Sequence, residues 1–266
     1  MFKNALVGVD GRPTGRDAIA LAGQLIDHDG KLTLVHVHHG ELAEELEDSH
    51  KLLEQARAEA DVSAELLSIV STSPGRGLHE QAEELGADLL VVGSCGHSTF
   101  GRAMLGDDTR DALNGTPCAV AIAARGYSAH PTAIASVGVA YNDSPESAAA
   151  LASARELAAA SGAKVKALEV VSIPAVAYGG LMAPAIGDSI NTMVDEANAR
   201  LAQLPGVEGR AVYGLTGEEL AAFGDELDIL VVGSRGYGPL RRLVLGSTSN
   251  YLERHARCSL LVLPRV

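Results

Sequence analysis

Asp88-Leu-Leu-Val-Val-Gly-Ser-Cys-Gly96 and Asp228-Ile-Leu-Val-Val-Gly-Ser-Arg-Gly236 are nearly the same nonapeptide, 140 positions apart. In each, an acidic residue precedes a short apolar run of the kind that forms a fully buried strand. Two glycines then bracket a polar turn. A third glycine follows after nine intervening residues, at Gly106 and at Gly246. The copies part at the next position, Asp107 in the first and Ser247 in the second. That is where a phosphate would sit. The pattern therefore reads as a duplicated nucleotide-binding fold in which one half kept its phosphate site and the other lost it.

A chain of 266 residues is one large domain or two of ordinary size, and the repeat decides for two. The halves run over 1–127 and 132–266, each long enough to bury its own core. Aromatic residues make up 3% of the chain and Trp is absent, so the core must be aliphatic and alanine-rich. The net charge of −13 argues against sequence-independent nucleic-acid binding, which needs a basic surface, and against an anionic membrane surface. Three cysteines, Cys95, Cys118 and Cys258, fit a reducing, cytoplasmic setting without a disulfide framework. The apolar run at the N-terminus is too short for a signal peptide. No stretch approaches the ~20 apolar residues of a membrane-spanning helix.

Strands and helices alternate along both halves, which predicts parallel α/β sheets with right-handed crossovers. In the first half, Ala5–Val9 reads as a strand and Asp10-Gly-Arg-Pro13 as a turn. A helix with Ala18, Leu21, Ala22 and Leu25 on one face is ended by Gly30. Leu32–Val37 is the second strand, followed by a long helix through Leu42, Leu46, Leu53 and Ala56. A strand near Leu66–Val70, a helix around Leu78–Leu85, the strand Leu89–Val92, a last helix and the strand Ala119–Ile122 complete the half. The second half repeats the order at an offset of 132, from Val137-Gly-Val139 onward. Ser144 caps a helix that opens with Pro145. Thr216 and Glu219 read as a capping box. By the fourth strand the offset is 140, and Pro174–Pro184 takes up the extra residues as a loop near the adenine-facing edge that closes over a ligand. The linker Arg125–Pro131 is short, so the halves pack together.

Ligands of a parallel sheet gather at the carboxyl ends of its strands. Val231 and Val232 end a strand there. Gly233 and Gly236 let backbone amides approach an anion. Gly246-Ser247-Thr248-Ser249 opens the last helix, whose start offers unpaired N–H groups and partial positive charge. Ser247 and Thr248 add hydroxyls, and Arg235, Arg241 and Arg242 supply cations. Loop amides facing a helix start make a phosphate cradle. Glycines that merely mark turns are the plainer alternative, weakened by this ordered spacing after a buried strand.

Gly233-x-x-Gly236, nine residues, then Gly246-Ser247 resembles the ATP-binding signature of the universal stress protein family. The resemblance spans nearly the whole chain as two tandem copies, including Val7-Gly-Val-Asp10, Cys118-Ala-Val and Cys258-Ser-Leu-Leu-Val262. It implies two adenine-nucleotide α-hydrolase-like (Rossmann-like) domains, each a five-stranded parallel sheet flanked by helices. It also implies ATP, with Mg²⁺, in the second domain. Asn142 would face the nucleoside and the backbone near Val170 the adenine. Val232, Gly233, Arg235, Gly236, Gly246, Ser247, Thr248 and Ser249 would hold the triphosphate. Asn142 stands where the family has Asp. The first domain keeps Asp10, Gly93, Gly96 and Gly106 but has Asp107-Asp108 in place of hydroxyls. A carboxylate about 4 Å from a phosphate charge costs on the order of 4 kcal/mol at an effective dielectric near 20. The plainer alternative is that Asp107 caps a helix with no ligand present. The resemblance further implies that the two closing strands pair with each other inside the chain, an intrachain pseudo-dimer. Association into a homodimer stays open.

His36 and His38 share a strand face beside His39, a pattern open to zinc but more usual at polar strand ends. Cys118 and Cys258 precede apolar strands and are expected to be buried. Cys95 lies in the first glycine loop, with no base or CxxC to activate it. The acidic run Glu41–Asp48 reads as a solvated helix face. No Walker A motif and no catalytic constellation appears. Three readings follow: an ATP-binding regulatory or stress-response protein, a slow ATP hydrolase on the same fold, and a nucleotide-free interaction module. The first is preferred, with an adenine nucleotide as ligand, an unidentified protein partner and at most weak ATPase activity.

Overall fold

The computed structural model describes residues 1–40, 42–94, 115–129, 133–172, 183–234, 243 and 246–264. The first half comprises β1 (Phe2–Gly8), α1 (Pro13–Leu25), β2 (Ile26–His38), α2 (Ala43–Ala60), β3 (Glu65–Val70), α3 (Pro74–Glu84), β4 (Leu89–Gly93) and β5 (Ala119–Ala123). The helix expected after the first glycine turn falls on 95–114, outside the described residues. A 3₁₀ turn, Tyr127–Ala129, lies in the linker. The second half comprises β6 (Ser136–Ala140), α4 (Pro145–Ser161), β7 (Lys164–Val171), α5 (Ala183–Leu201), β8 (Val207–Tyr213), α6 (Thr216–Gly224), β9 (Ile229–Gly233), α7 (Ser247–His255) and β10 (Ser259–Leu263).

These strands form one ten-stranded sheet ordered β3-β2-β1-β4-β5-β10-β9-β6-β7-β8. Each half is a parallel five-stranded sheet. The halves join through β5 and β10, which pair antiparallel with Leu261 opposite Ala121. The internal pairing of closing strands is thus present. Every residue of both strands is buried. The buried Ser259 hydroxyl accepts from the Ala124 N–H at 3.2 Å, so no polar group is stranded at that point of the seam. Helices cover both faces. One core carries α1 and α4 residues such as Leu21 and Leu151, the other α3 and α6 residues such as Leu78 and Phe223. No helix among the described residues is long and apolar enough to cross a membrane.

Several element boundaries differ from the sequence reading, each for a local reason. Gly30 does not end α1. The helix stops at Leu25, where its apolar face runs out, and Ile26 is already extended and paired with Phe2. The register then slips before Asn4 meets Lys31, so the polar Asp27–Gly30 stretch is accommodated as an irregularity at the start of β2. Leu42 and Leu46 do not reach the core: they are 67% and 43% exposed, and α2 docks through Ser49, Leu53 and Ala56. Thr216 is not a cap. Leu215 occupies the N-cap position without a side-chain bond, and Thr216 is already helical. The acidic Glu218 and Glu219 of that first turn instead favour the positive helix start. Ser144 does cap α4, in a reciprocal box with Ser147. Of the Pro174–Pro184 segment, residues up to 182 lie outside the described ones, and Ala183 and Pro184 open α5.

The acidic residue that opens each repeated nonapeptide has a structural task at the amino edge of the sheet. Asp88 accepts from the Lys3 and Asn4 N–H groups at 2.8 and 2.9 Å. Asp228 does the same for Ala135 and Ser136, and adds the Ser136 hydroxyl. Each carboxylate ties the start of its half's fourth strand to the first. Replacing Asp228 by Ala leaves these donors unpaired. It should lower stability by about 1–3 kcal/mol, read as a shift of the urea midpoint, with the sheet otherwise intact by circular dichroism.

Candidate functional site

Strand order reverses between β1 and β4 in the first half and between β6 and β9 in the second. Helices that leave such neighbours toward opposite faces open a crevice beyond their carboxyl ends. In the second half the crevice is bounded by Asn142, two residues past β6, and by Gly233, the last residue of β9. Val170 is the penultimate residue of the adjacent β7 and half-buried, and Val232 is buried beneath the turn. Arg235, Gly236, Arg241 and Arg242 lie outside the described residues. So do Cys95, Gly96, Gly106, Asp107 and Asp108 of the first half.

Gly233 is glycine for a reason that the reading of an open anion path misses. A Cβ there would lie 2.8 Å from the Glu146 carbonyl oxygen and 2.9 Å from its Cβ. At Gly93 the same atom would lie 2.3 Å from the Thr14 carbonyl oxygen. The first turn of the helix after the first strand, α4 or α1, thus sits directly on the glycine turn. Both halves share this packing, so Gly93 and Gly233 do not by themselves distinguish a ligand site from a scaffold.

The turns after β1 and β6 are also alike. Asp10 Oδ1 accepts from the Arg12 N–H at 3.0 Å. Asn142 Oδ1 accepts from the Ser144 hydroxyl at 2.7 Å and its N–H at 3.4 Å. The oxygen of Asn142 is committed to the turn, and its exposed amide NH₂ is what it offers outward. Asp10 offers only a second acceptor, already 3.6 Å from the Arg12 guanidinium.

The connection after β9 leads into the start of α7. Gly246 is the N-cap in extended conformation and makes no side-chain cap bond. The first closed helical bond runs from Asn250 N–H to Gly246 O, so the preceding N–H groups have no partner within the helix. Ser247 is exposed and Thr248 half-buried, whereas Ser249 is 5% exposed and turned toward the core. Ser249 can therefore serve a ligand only through its backbone.

Residues that the sequence reading passed over support these elements. Glu169, 7% exposed near the end of β7, accepts from Arg200 of α5 at 2.5 Å. Beside it the Tyr141 hydroxyl donates to Asp143, which holds a left-handed φ of 59°. A carboxylate among the apolar residues at the end of β7 was the available signal. Leu243, fully buried, exchanges backbone hydrogen bonds with the first half: Gly115 N–H to Leu243 O at 2.8 Å and Leu243 N–H to Thr116 O at 3.1 Å. Leu243 is thereby anchored on the opposite domain.

In the first half, His36 takes the strand position that Glu169 holds in the second. Its Nδ1 meets Ser49 Oγ at 2.9 Å, and Ser49 meets Ser68 at 2.6 Å. His38 Nδ1 donates to Gly40 O at 2.8 Å. The rings stack at 6.3 Å. Burial lowers the His36 pKa, helped by His38 and opposed by Asp10. Among the described residues no group of three His, Cys, Asp or Glu side chains is arranged to hold a metal ion.

Fold and turns together define a tandem α/β protein with two Rossmann-like halves sharing one sheet. The chain belongs to the universal stress protein family, which it matches over residues 1–124 and again over 134–264. It is 26% identical over 223 residues to Universal stress protein Rv2319c of Mycobacterium tuberculosis, covering 78% of this chain and 70% of that one. A universal stress protein from Archaeoglobus fulgidus superposes with a TM-score of 0.65 at 18% identity, covering 99% and 98% of the two chains. A putative universal stress protein from Pseudomonas aeruginosa does so with a TM-score of 0.63 at 16% identity, covering 99% and 94%. These two likenesses concern the fold.

Cys118 and Cys258 are buried and unbridged, and burial pushes both thiols up to about 12. At pH 8 a Cys95→Ser variant should react with a thiol reagent only on unfolding, since the reactive thiolate is scarce. Both folded values lie above the ordinary value of 9.0, so the stability they contribute is complete below about pH 9 and is lost as pH rises toward 12. Chemical denaturation across that range checks the sign.

Proposed function

We propose that the second half binds ATP together with Mg²⁺, and that the protein acts as a nucleotide-dependent regulatory binder in a stress response. What supports this most is the α7 start Gly246-Ser247-Thr248, which follows β9 in the chain and leaves its first N–H groups without partners in the helix. Anions bind well at such helix starts. The unpaired N–H groups and the exposed Ser247 hydroxyl suit phosphate oxygens. Arg235 and Gly236 would complete the turn, Asn142 would donate to the nucleoside, and the Val170 backbone would meet the base. Mg²⁺ would be held mainly by the phosphates, as it keeps most of its waters, and would supply charge neutralisation. The first half, with Asp107-Asp108 where hydroxyls would be needed, would bind ATP weakly or not at all. Unbridged Cys118 and Cys258 suit a cytoplasmic setting.

Hydrolysis needs a group that orients water beside the terminal phosphate. One observation favours a slow hydrolase as the second reading. Glu146, absent from the sequence reading, abuts Gly233 through its carbonyl and Cβ, so a residue that bears a carboxylate packs against the turn where the phosphates would lie.

Calorimetric titration with Mg-ATP should give one equivalent bound. Replacing Gly236 and Gly246 together by Leu should abolish it, and retained affinity would move the site elsewhere. Asp107→Ser should admit a second equivalent if repulsion is the main defect of the first half. Steady-state turnover of several per second, abolished by Glu146→Gln, would replace the binder reading with the hydrolase.

A further inference from the structure

A cavity of about 260 Å³ lies at the seam between the halves, away from the β6/β9 crevice. The antiparallel β5·β10 pairing creates it, because it sets the carboxyl ends of β4 and β5 beside the amino end of β10 and the carboxyl end of α7. The first half contributes Ser94 and Arg125, and the second contributes Glu253, Arg254 and Arg257. Three arginines around one cavity reverse the sign of a chain whose net charge is −13.

The ends of helices attract cations, which accounts for Arg254 in the last turn of α7. It does not account for the other two. Arg257 lies beyond the Ala256 cap, and Arg125 belongs to the opposite half. The Arg125 backbone is held in place. Asp17 of α1, 2% exposed, accepts from the Gly126 and Ser128 N–H groups at 2.8 Å each and from the Ser128 hydroxyl at 2.6 Å. The ion pairs of the second-half guanidinium groups are long. Arg254 Nε is 3.8 Å from Glu253 and Arg257 Nε 3.9 Å from Asp225, beyond hydrogen-bonding distance. The duplication repeats only Arg125 of this set, at Arg265. The positions 140 residues before Arg254 and Arg257 hold Asn114 and Pro117.

We propose that the seam cavity binds a small organic phosphate, held by Arg125 from one half and Arg254 and Arg257 from the other. Guanidinium groups match phosphate oxygens in geometry and charge. Glu253, whose side chain is 8% exposed, adds one negative charge to the lining, which disfavours a bare polyphosphate against a phosphate monoester. The volume equals roughly nine waters at about 30 Å³ each, which suits a compact molecule better than a nucleotide. The site is independent of the ATP proposal.

Glycerol 3-phosphate, followed by phosphorus NMR titration of the full chain, is the probe. It is run on the natural protein, on Arg125→Gln/Arg257→Gln, and on Gly246→Leu, which obstructs the α7 start. The natural and Gly246→Leu proteins should bind alike, and the double arginine variant should bind about tenfold more weakly or not at all. All altered positions other than Gly246 are exposed arginines, and unchanged thermal unfolding of that variant would show that folding is not the cause. Equal binding by the double arginine variant would overturn the proposal. So would loss of binding in Gly246→Leu, which would assign the phosphate to the α7 start, or no binding by the natural protein.

Discussion

The antiparallel pairing of β5 with β10 is the constraint on which the rest of the molecule depends. Each half alone would end its sheet in a fully apolar strand, and an exposed apolar edge pairs with whatever it meets. Joining the two edges removes that hazard and turns two five-stranded sheets into one of ten strands. It also sets the directions of everything else. The carboxyl ends of one half's strands lie toward the amino end of the other's closing strand, so the loops of one half reach the other. The exchange of backbone hydrogen bonds between Leu243 and Gly115–Thr116 is one result, and the seam cavity is another.

Much of this was legible in the sequence because strand and helix signals are local. The apolar runs of β1, β4, β5, β6, β9 and β10 were visible as runs, and the duplication of the glycine nonapeptide showed where the fourth strands ended. Boundaries decided by tertiary contact were less visible. Nothing local distinguishes Gly30 from a helix stop, because the stop comes from Ile26 joining Phe2 in the sheet. Nothing local says that Leu42 and Leu46 lie beyond the part of α2 that docks. The supporting residues of the crevice and of the seam were hidden for the same reason. Glu169 and Arg200 are 31 residues apart, and Asp17 and Gly126 are 109 apart. A charge in an apolar strand announces that it has a partner, but not which one.

The duplication separates scaffold from site more sharply than either half could. Features present twice belong to the fold: the Asp88 and Asp228 ties, the side-chain bonded turns at Asp10 and Asn142, and the close approach of a helix start to Gly93 and Gly233. The glycine that seemed most diagnostic of an anion is among them, so its weight as a ligand signal falls. Features present once are where the two halves differ. At the end of the second strand, one half has a histidine bonded to serine and the other a glutamate bonded to arginine. After the third glycine of the repeated motif, the sequence has paired aspartates in one half and Ser247-Thr248 in the other.

Helix α7 shows why its two ends need different chemistry. Nine residues at about 1.5 Å each place its termini on the order of 13 Å apart, with opposite partial charges. Its start attracts anions without help, so small and hydroxyl-bearing residues suffice at 246–248. Its end presents carbonyl groups and repels them. An anion can approach that end only if cations outweigh the carbonyls and Glu253, and Arg254 and Arg257 alone would do little more than balance them. Arg125 tips the sum, and it reaches the cavity only because Asp17 fixes the linker and β5 lies beside β10. The positive character of the seam is therefore a property of the joined halves, and neither half would carry it alone.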